Sequence, residues 1–182
     1  MKILFIGSRL EALTILELYI KSNDFESPVI FTGRDSMIHK YKIEKQLLLY
    51  NRNNKKETLN ELSKLLKKYN FDIVLSVGFN FLISKEILET NDKTIFLNSH
   101  PHLLPKWKGN NAIKESILKG ETEFGCTVHY IDEKMDNGQI IVQEKIKVLK
   151  NEQNLIYKYL FEFIEPIAIH NALKLINNGQ ND

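Results

Sequence analysis

Short apolar runs alternate with amphipathic stretches through the first hundred residues of the chain. Residues 2–6 form such a run, closed by Gly7, the pattern of a buried strand that ends in a turn. Between residues 9 and 21, Leu10, Leu13, Leu16 and Ile20 recur at helical spacing. Residues 28–31 predict a second strand closed by Thr32-Gly33, and Leu47-Leu48-Leu49-Tyr50 a third; 34–46 carries no decisive period. Polar residues 51–56 read as a loop. After them Leu59, Leu62, Leu65, Leu66 and Tyr69 fall on one helical face, with Lys64, Lys67 and Lys68 near the C-terminal end, where cations suit the helix dipole. Residues 72–77 and 94–98 predict a fourth and a fifth strand, with a helical turn at 84–89 between them.

That rhythm predicts a three-layer α/β fold, a mainly parallel sheet flanked by helices. Beyond residue 120 it changes: 124–131 and 138–148 read as strands joined by a turn at 132–137, an antiparallel extension. Residues 151–178 predict a terminal helix with a kink or restart at Pro166. Its exposed faces suit a homodimer, although Tyr157, Phe161 and Phe163 pack inward equally well by period. No repeat or composition shift divides residues 1–182, so one domain is expected.

Composition narrows the partners. With 25 Lys+Arg against 23 Asp+Glu the net charge is +2, too small by itself to imply nucleic acid or a membrane surface. The apolar run at the start is too short for a signal peptide, and no window approaches the roughly 20 apolar residues of a membrane span. Cys126 is the one cysteine, so no internal disulfide forms. A reducing, cytoplasmic setting is expected. Gly7-Ser8-Arg9 lacks the further glycines of a dinucleotide fingerprint, which argues against NAD and leaves a tight turn.

Candidate chemistry gathers later in the chain. The fifth strand has a polar end, Asn98-Ser99-His100-Pro101-His102, and strand ends of this kind are where ligands sit in parallel sheets. The segment continues Leu103-Leu104-Pro105-Lys106-Trp107-Lys108-Gly109, and the turn near 132–137 carries Asp136-Asn137-Gly138. An amide, an imidazole and a carboxylate together make a proton-handling site for acyl transfer. A metal reading of His100, His102 and Asp136 has no partner to orient the ligands, so no metal is expected. His129 reads as a satisfied structural histidine, Cys126 as a buried inert thiol and His102 as a loop residue without a role. Asn110 and Asn111 open the next helix and suit capping.

These segments resemble the formyltransferase family that uses N10-formyltetrahydrofolate, whose members act on glycinamide ribonucleotide, methionyl-tRNA and sugar nucleotides. The pieces that carry the resemblance are Asn98/His100, Leu103-Leu104-Pro105, Trp107-Lys108-Gly109, Gly125-Cys126-Thr127 and Asp136-Asn137-Gly138, in order over about residues 95–142. The resemblance implies a Rossmann-like fold and a catalytic trio. His100 handles the proton of the attacking amine, Asn98 donates to the oxygen that becomes negative, and Asp136 orients His100. It places the folate donor against Phe79, Asn80, Phe81 and Leu82 and against Ile131, Asp132 and Asp136. Lys106, Trp107, Lys108 and Asn110 would meet an anionic acceptor.

The acceptor is narrowed by departures from the family pattern. Gly7-Ser8-Arg9-Leu10 is not the Gly/Ser/Asn-rich phosphate loop of the glycinamide ribonucleotide enzymes. The tRNA enzymes carry an added C-terminal domain that grips the tRNA, whereas residues 1–182 read as one domain of balanced charge, so a tRNA acceptor is not expected. Ala112 stands where proline is common and Ser99 where an apolar residue is. A nucleotide-linked amino sugar is the expected acceptor, with glycinamide ribonucleotide as the alternative. A folate-binding module without turnover, or an acyl transferase using a CoA donor, are the readings from other classes.

Overall fold

The protein is described from a computed structural model that covers residues 1–23, 25–40, 47–148 and 153–179. Seven strands form one sheet in the order β3-β2-β1-β4-β5-β6-β7: β1 (Ile3–Gly7), β2 (Val29–Gly33), β3 (Leu47–Tyr50), β4 (Ile73–Val77), β5 (Ile95–His100), β6 (Glu123–Tyr130) and β7 (Ile140–Lys147). The first five pair in parallel and the last two antiparallel, as the sequence pattern predicts. The order reverses on either side of β1, so the C-terminal ends of β1 and β4 border a crevice.

Helices cover both faces, which is why β1, β2 and β4 are buried along their whole length. On one face α1 (Leu10–Ser22) and α7 (Glu165–Gly179) close over Ile3, Phe5, Leu75 and Leu97. On the other, α3 (Lys55–Lys68) sets Leu62 and Leu66 against Leu4, Phe31 and Val74. Helix α3 starts at a capped end, where the Asn54 side chain accepts from the Glu57 N–H at 3.1 Å. The unperiodic stretch holds one short helix, α2 (Met37–Lys40); its residues 41–46 lie outside those described. Short helices α4 (Lys85–Glu89) and α5 (Ala112–Leu118) precede β5 and β6.

The terminal helix is interrupted near Pro166, as expected: α6 (Gln153–Tyr159) passes through a π-helical turn, Leu160–Ile164, and the α-helix restarts as α7 at Glu165. The Glu165 N–H bonds to the Leu160 carbonyl, five residues back. A proline lacks the N–H of the regular ladder, and the widened turn comes just before Pro166 on the first turn of α7. Tyr157 and Phe161 pack inward with Ile156 and Leu160, whereas Phe163 is 49% exposed.

Candidate active site

A cavity of about 620 Å³ opens at the C-terminal ends of β4 and β5. One wall is the loop 78–83 together with Ile131, Lys134 and Met135; the other is Arg9, Asn110, Ile113, Tyr157 and Phe161. The walls belong to different cores. Phe79, Phe81 and Ile131 pack with the α3 side, and Tyr157 and Phe161 with the terminal helix.

Asn98, His100 and Asp136 come together in this cavity. Asn98 and His100 are two apart on β5, so they share a face. Asp136 reaches them from the β6–β7 connection, with Oδ2 3.4 Å from His100 Nδ1 and Oδ1 3.5 Å from Asn98 Nδ2. Only the Nδ2 side of the amide can donate to that carboxylate, which fixes how the Asn98 amide is turned. Its oxygen accepts from Ser76 Oγ at 3.0 Å, across the β4–β5 register.

The connection that delivers Asp136 is built by its own residues. Asp136 holds φ at 50°, the left-handed conformation that Asp and Asn adopt more readily than most. A Cβ on Gly138 would stand 1.8 Å from the Tyr130 carbonyl oxygen, so only glycine closes the turn. Asp136 Oδ2 also accepts the Gly109 N–H at 2.7 Å, tying the turn to the end of the loop after β5.

That loop is pinned in the same way. Thr127 Oγ1 donates to the His102 carbonyl at 2.7 Å and accepts from the Leu104 N–H at 3.1 Å. Gly125 leaves room for Leu103, whose Cδ2 would be 2.5 Å from an added Cβ. The Leu-Leu-Pro and Gly-x-Thr pieces thus hold the backbone that carries His100 and Gly109. His100 Nε2 meets the Trp107 carbonyl, an acceptor, and therefore carries a hydrogen.

In the neutral ring of His100, Nδ1 is then the basic nitrogen, beside Asp136. Burial lowers the His100 pKa below the usual histidine value; Asp136 and the Trp107 carbonyl pull the other way, and burial wins. The resting imidazole is neutral and able to accept a proton. For Asp136 burial pushes the pKa up, but His129, His100 and the Gly109 N–H outweigh it, and the carboxyl sits below its ordinary range.

His129 enters the site unannounced by the sequence reading. It is 2% exposed and satisfied, as a structural histidine would be. Yet its Nδ1 donates to the Tyr130 carbonyl at 2.8 Å, which leaves Nε2 to accept from Asn98 Nδ2 at 3.1 Å. Strand alternation puts His129 opposite Asn98 in the β5–β6 register; that pairing was the only available signal. Ser76, Arg9, Tyr157 and Phe161 were likewise missed, having no motif around them.

Phe79, Asn80, Phe81, Leu82, Ile131 and Asn110 line the cavity. Asp132 is not on its wall: its carboxylate accepts from the Lys134 N–H and from Asn137 Nδ2, holding the turn. Lys106, Trp107 and Lys108 also lie off the wall. The pinned loop turns the Trp107 ring inward against His102, with the Lys106 and Lys119 ammonium groups over it, so stacking on an acceptor is not its role. Lys106 pairs with Glu121, and Lys108 Nζ donates to Asn137. Asn111 takes the N-cap position of α5 without a side-chain bond. His102 is fully buried between Trp107 and Phe124, accepts the Leu103 N–H at Nδ1, and has its pKa lowered to about 4 because burial excludes its charged form. It points away from the site. Among the described residues no group of three or more His, Cys, Asp or Glu is arranged to hold a metal.

Residues 23–173 match the family model described as "Formyl transferase". The chain belongs to that family. Within it, the trifunctional purine biosynthetic protein adenosine-3 of Chironomus tentans is 38% identical over 114 residues, 63% of this chain and 8% of that one. Methionyl-tRNA formyltransferase of Fusobacterium nucleatum is 26% identical over 191 residues, covering 99% of this chain and 60% of its own. The chain thus spans only part of the curated family members it matches. Phosphoribosylglycinamide formyltransferase from Bacillus halodurans shares the fold with a TM-score of 0.82 at 24% identity, covering 100% of this chain and 98% of that one. No described helix is long and apolar enough to cross a membrane.

Proposed function

We propose that the chain transfers a formyl group from N10-formyltetrahydrofolate to the primary amine of a small acceptor, using Asn98, His100 and Asp136. The supporting observation is the convergence of an oriented amide, a neutral imidazole and an ionised carboxylate at one end of the cavity. As the amine attacks the formyl carbon, the carbonyl oxygen gains negative charge, and the Asn98 N–H groups are placed to stabilise it. In the resting site those N–H groups bond to His129 and Asp136, so one of them turns from its resting partner to the oxygen as the charge develops. His100 Nδ1 takes the amine proton, Asp136 stabilises the imidazolium that results, and as the bond from the formyl carbon to N10 breaks the proton passes to N10 of the departing tetrahydrofolate. Asp136 stays charged throughout and acts by position.

The folate donor fits the wall formed by 78–83 and Ile131, where the edge-on rings of Phe79 and Phe81 supply apolar surface. The acceptor then enters from the Arg9–Asn110–Tyr157 side. A nucleotide-linked amino sugar is the acceptor proposed, because Gly7-Ser8-Arg9-Leu10 departs from the glycine- and serine-rich phosphate loop of the glycinamide ribonucleotide enzymes. Phosphoribosylglycinamide is the second reading, favoured by the names of the family members above. A cytoplasmic setting suits the buried thiol of Cys126, which burial holds in its protonated form. The test is an assay of the purified chain with N10-formyltetrahydrofolate and each amine in turn. Formylation of one or the other names the acceptor; no formylation of any primary amine, with the donor intact, removes the reading.

A further inference from the structure

Trp107 stands inside the sequence pattern, yet its side chain lies off the cavity wall. The ring is 8% exposed and packs against His102 at 5.6 Å between centroids, and His102 packs in turn against Phe124 on β6. The ammonium groups of Lys106 and Lys119, two exposed residues, stand over the ring at 5.3 and 5.5 Å, where its face attracts cations. His102 is itself fixed twice: its Nδ1 accepts the Leu103 N–H, and its carbonyl accepts from Thr127 Oγ1. Burial keeps that imidazole uncharged, so the two cations meet no like charge beneath the indole. The indole is therefore seated, and the backbone at 107 with it.

That backbone reaches both His100 and Asp136. The Trp107 carbonyl accepts the hydrogen on His100 Nε2, and two residues on the Gly109 N–H donates to Asp136 Oδ2 at 2.7 Å. The first contact decides between two tautomers. A carboxylate beside a neutral imidazole draws the ring hydrogen to the nitrogen that faces it. Asp136 Oδ2 stands 3.4 Å from His100 Nδ1, and acting alone it would place the hydrogen there. Nε2 would then be the basic nitrogen, turned to the loop, and Nδ1 could take no proton from an amine in the cavity. A carbonyl oxygen only accepts, so its contact with Nε2 holds the hydrogen on that side. The second contact works in the same direction. With Oδ2 engaged by the Gly109 N–H and Oδ1 by the Asn98 amide, the pull of Asp136 on Nδ1 is weakened.

We infer that Trp107 is a positioning residue, its buried ring holding the carbonyl that keeps the His100 hydrogen on Nε2 and leaves Nδ1 free to act as base. The ring touches no reacting atom and acts through His100. The kinetic consequence rests on the formyl-transfer reading, whereas the tautomer is a property of the ligand-free chain.

Nitrogen-15 NMR of the histidine rings reads the tautomer, because ring nitrogens with and without a hydrogen resonate far apart. The chain has five histidines, and His100→Gln identifies the His100 signals by their loss. At neutral pH the parent should carry the hydrogen on Nε2. Trp107→Phe keeps a ring against His102 and should keep that tautomer. Trp107→Met fills the seat with a flexible chain that spares the fold, which a dispersed amide spectrum checks, and should move His100 to a mixture or to the Nδ1–H form. Its kcat should fall at least tenfold with the donor KM within twofold of the parent, and Trp107→Phe should recover most of the loss. A filler role alone would leave the tautomer in place in both variants. A parent His100 with its hydrogen on Nδ1, or a folded Trp107→Met with the parent's tautomer, would overturn the inference. The expected tautomer change in a chain that formylates no amine would sink the functional reading and leave the positioning role standing.

Discussion

Asn98 makes its contacts from a strand end, and each has a price in stability or in rate. Its amide stands between Ser76, His129 and Asp136, so Asn98→Ala removes the proposed oxyanion donor and takes a partner from Ser76 Oγ and His129 Nε2, while Asp136 keeps the Gly109 N–H. Loss of one such donor costs roughly 2.7–4 kcal/mol in the barrier, or about 100- to 1,000-fold in kcat. The two orphaned bonds are worth about 1 kcal/mol each. Steady-state kinetics beside thermal unfolding separates the two: kcat should collapse while the melting curve moves only modestly. On the proposed mechanism His100 governs the pH profile. Its pKa lies below the ordinary histidine value, so the neutral base persists into mildly acidic solution. The rate should hold below pH 6.5 and fall only as His100 Nδ1 protonates; a fall centred above pH 7 in kcat would assign the proton step elsewhere.

At the scale of elements, short connections hold the geometry. Gly138 lets the β6–β7 turn pass the Tyr130 carbonyl. Gly138→Ala puts a methyl group into a backbone atom, an overpacking that costs about 3 kcal/mol. Chemical denaturation should show the loss; an unchanged midpoint would mean the turn is not as tight as described. The strands and their parallel order were legible because β1, β2 and β4 are buried on both faces and so read as unbroken apolar runs. The π-helical turn was not. Pro166 announces a break, but whether the ladder kinks or widens depends on tertiary contacts, here Phe161 under Arg9 and Glu165 beneath Ser99. The inward turn of Trp107 escaped notice for the same reason: its direction is set by Thr127, on a strand that follows it by twenty positions in sequence and pairs beside it in space.

For the whole molecule, pH acts on stability through His102. Its folded pKa is about 4, below the 6.5 of an ordinary histidine. Between those values the unfolded chain binds more protons, so stability rises with pH across the window and is lost as pH falls through it. The full span is worth roughly 3 kcal/mol. Replacing His102 with Gln should flatten the unfolding free energy between pH 4 and 6.5; an equally steep dependence would move the cause to other groups. The cavity was legible where motif residues gather, at Asn98, His100 and Asp136, which the fold brings together. It was opaque where contact is made across the sheet, as with His129 and Arg9, because one sequence does not reveal which strands lie side by side.

The proposed folate site has Asp136 on its wall. Asparagine tolerates the positive φ at this position and nearly matches the shape of aspartate, so Asp136→Asn tests the charge with little strain. Titration calorimetry with a stable reduced-folate analogue is therefore the most direct measurement. One-to-one binding to the parent, at least tenfold weaker in Asp136→Asn, is the result expected. Absence of binding to the parent, or equal binding to both, would contradict a donor site at this end of the sheet.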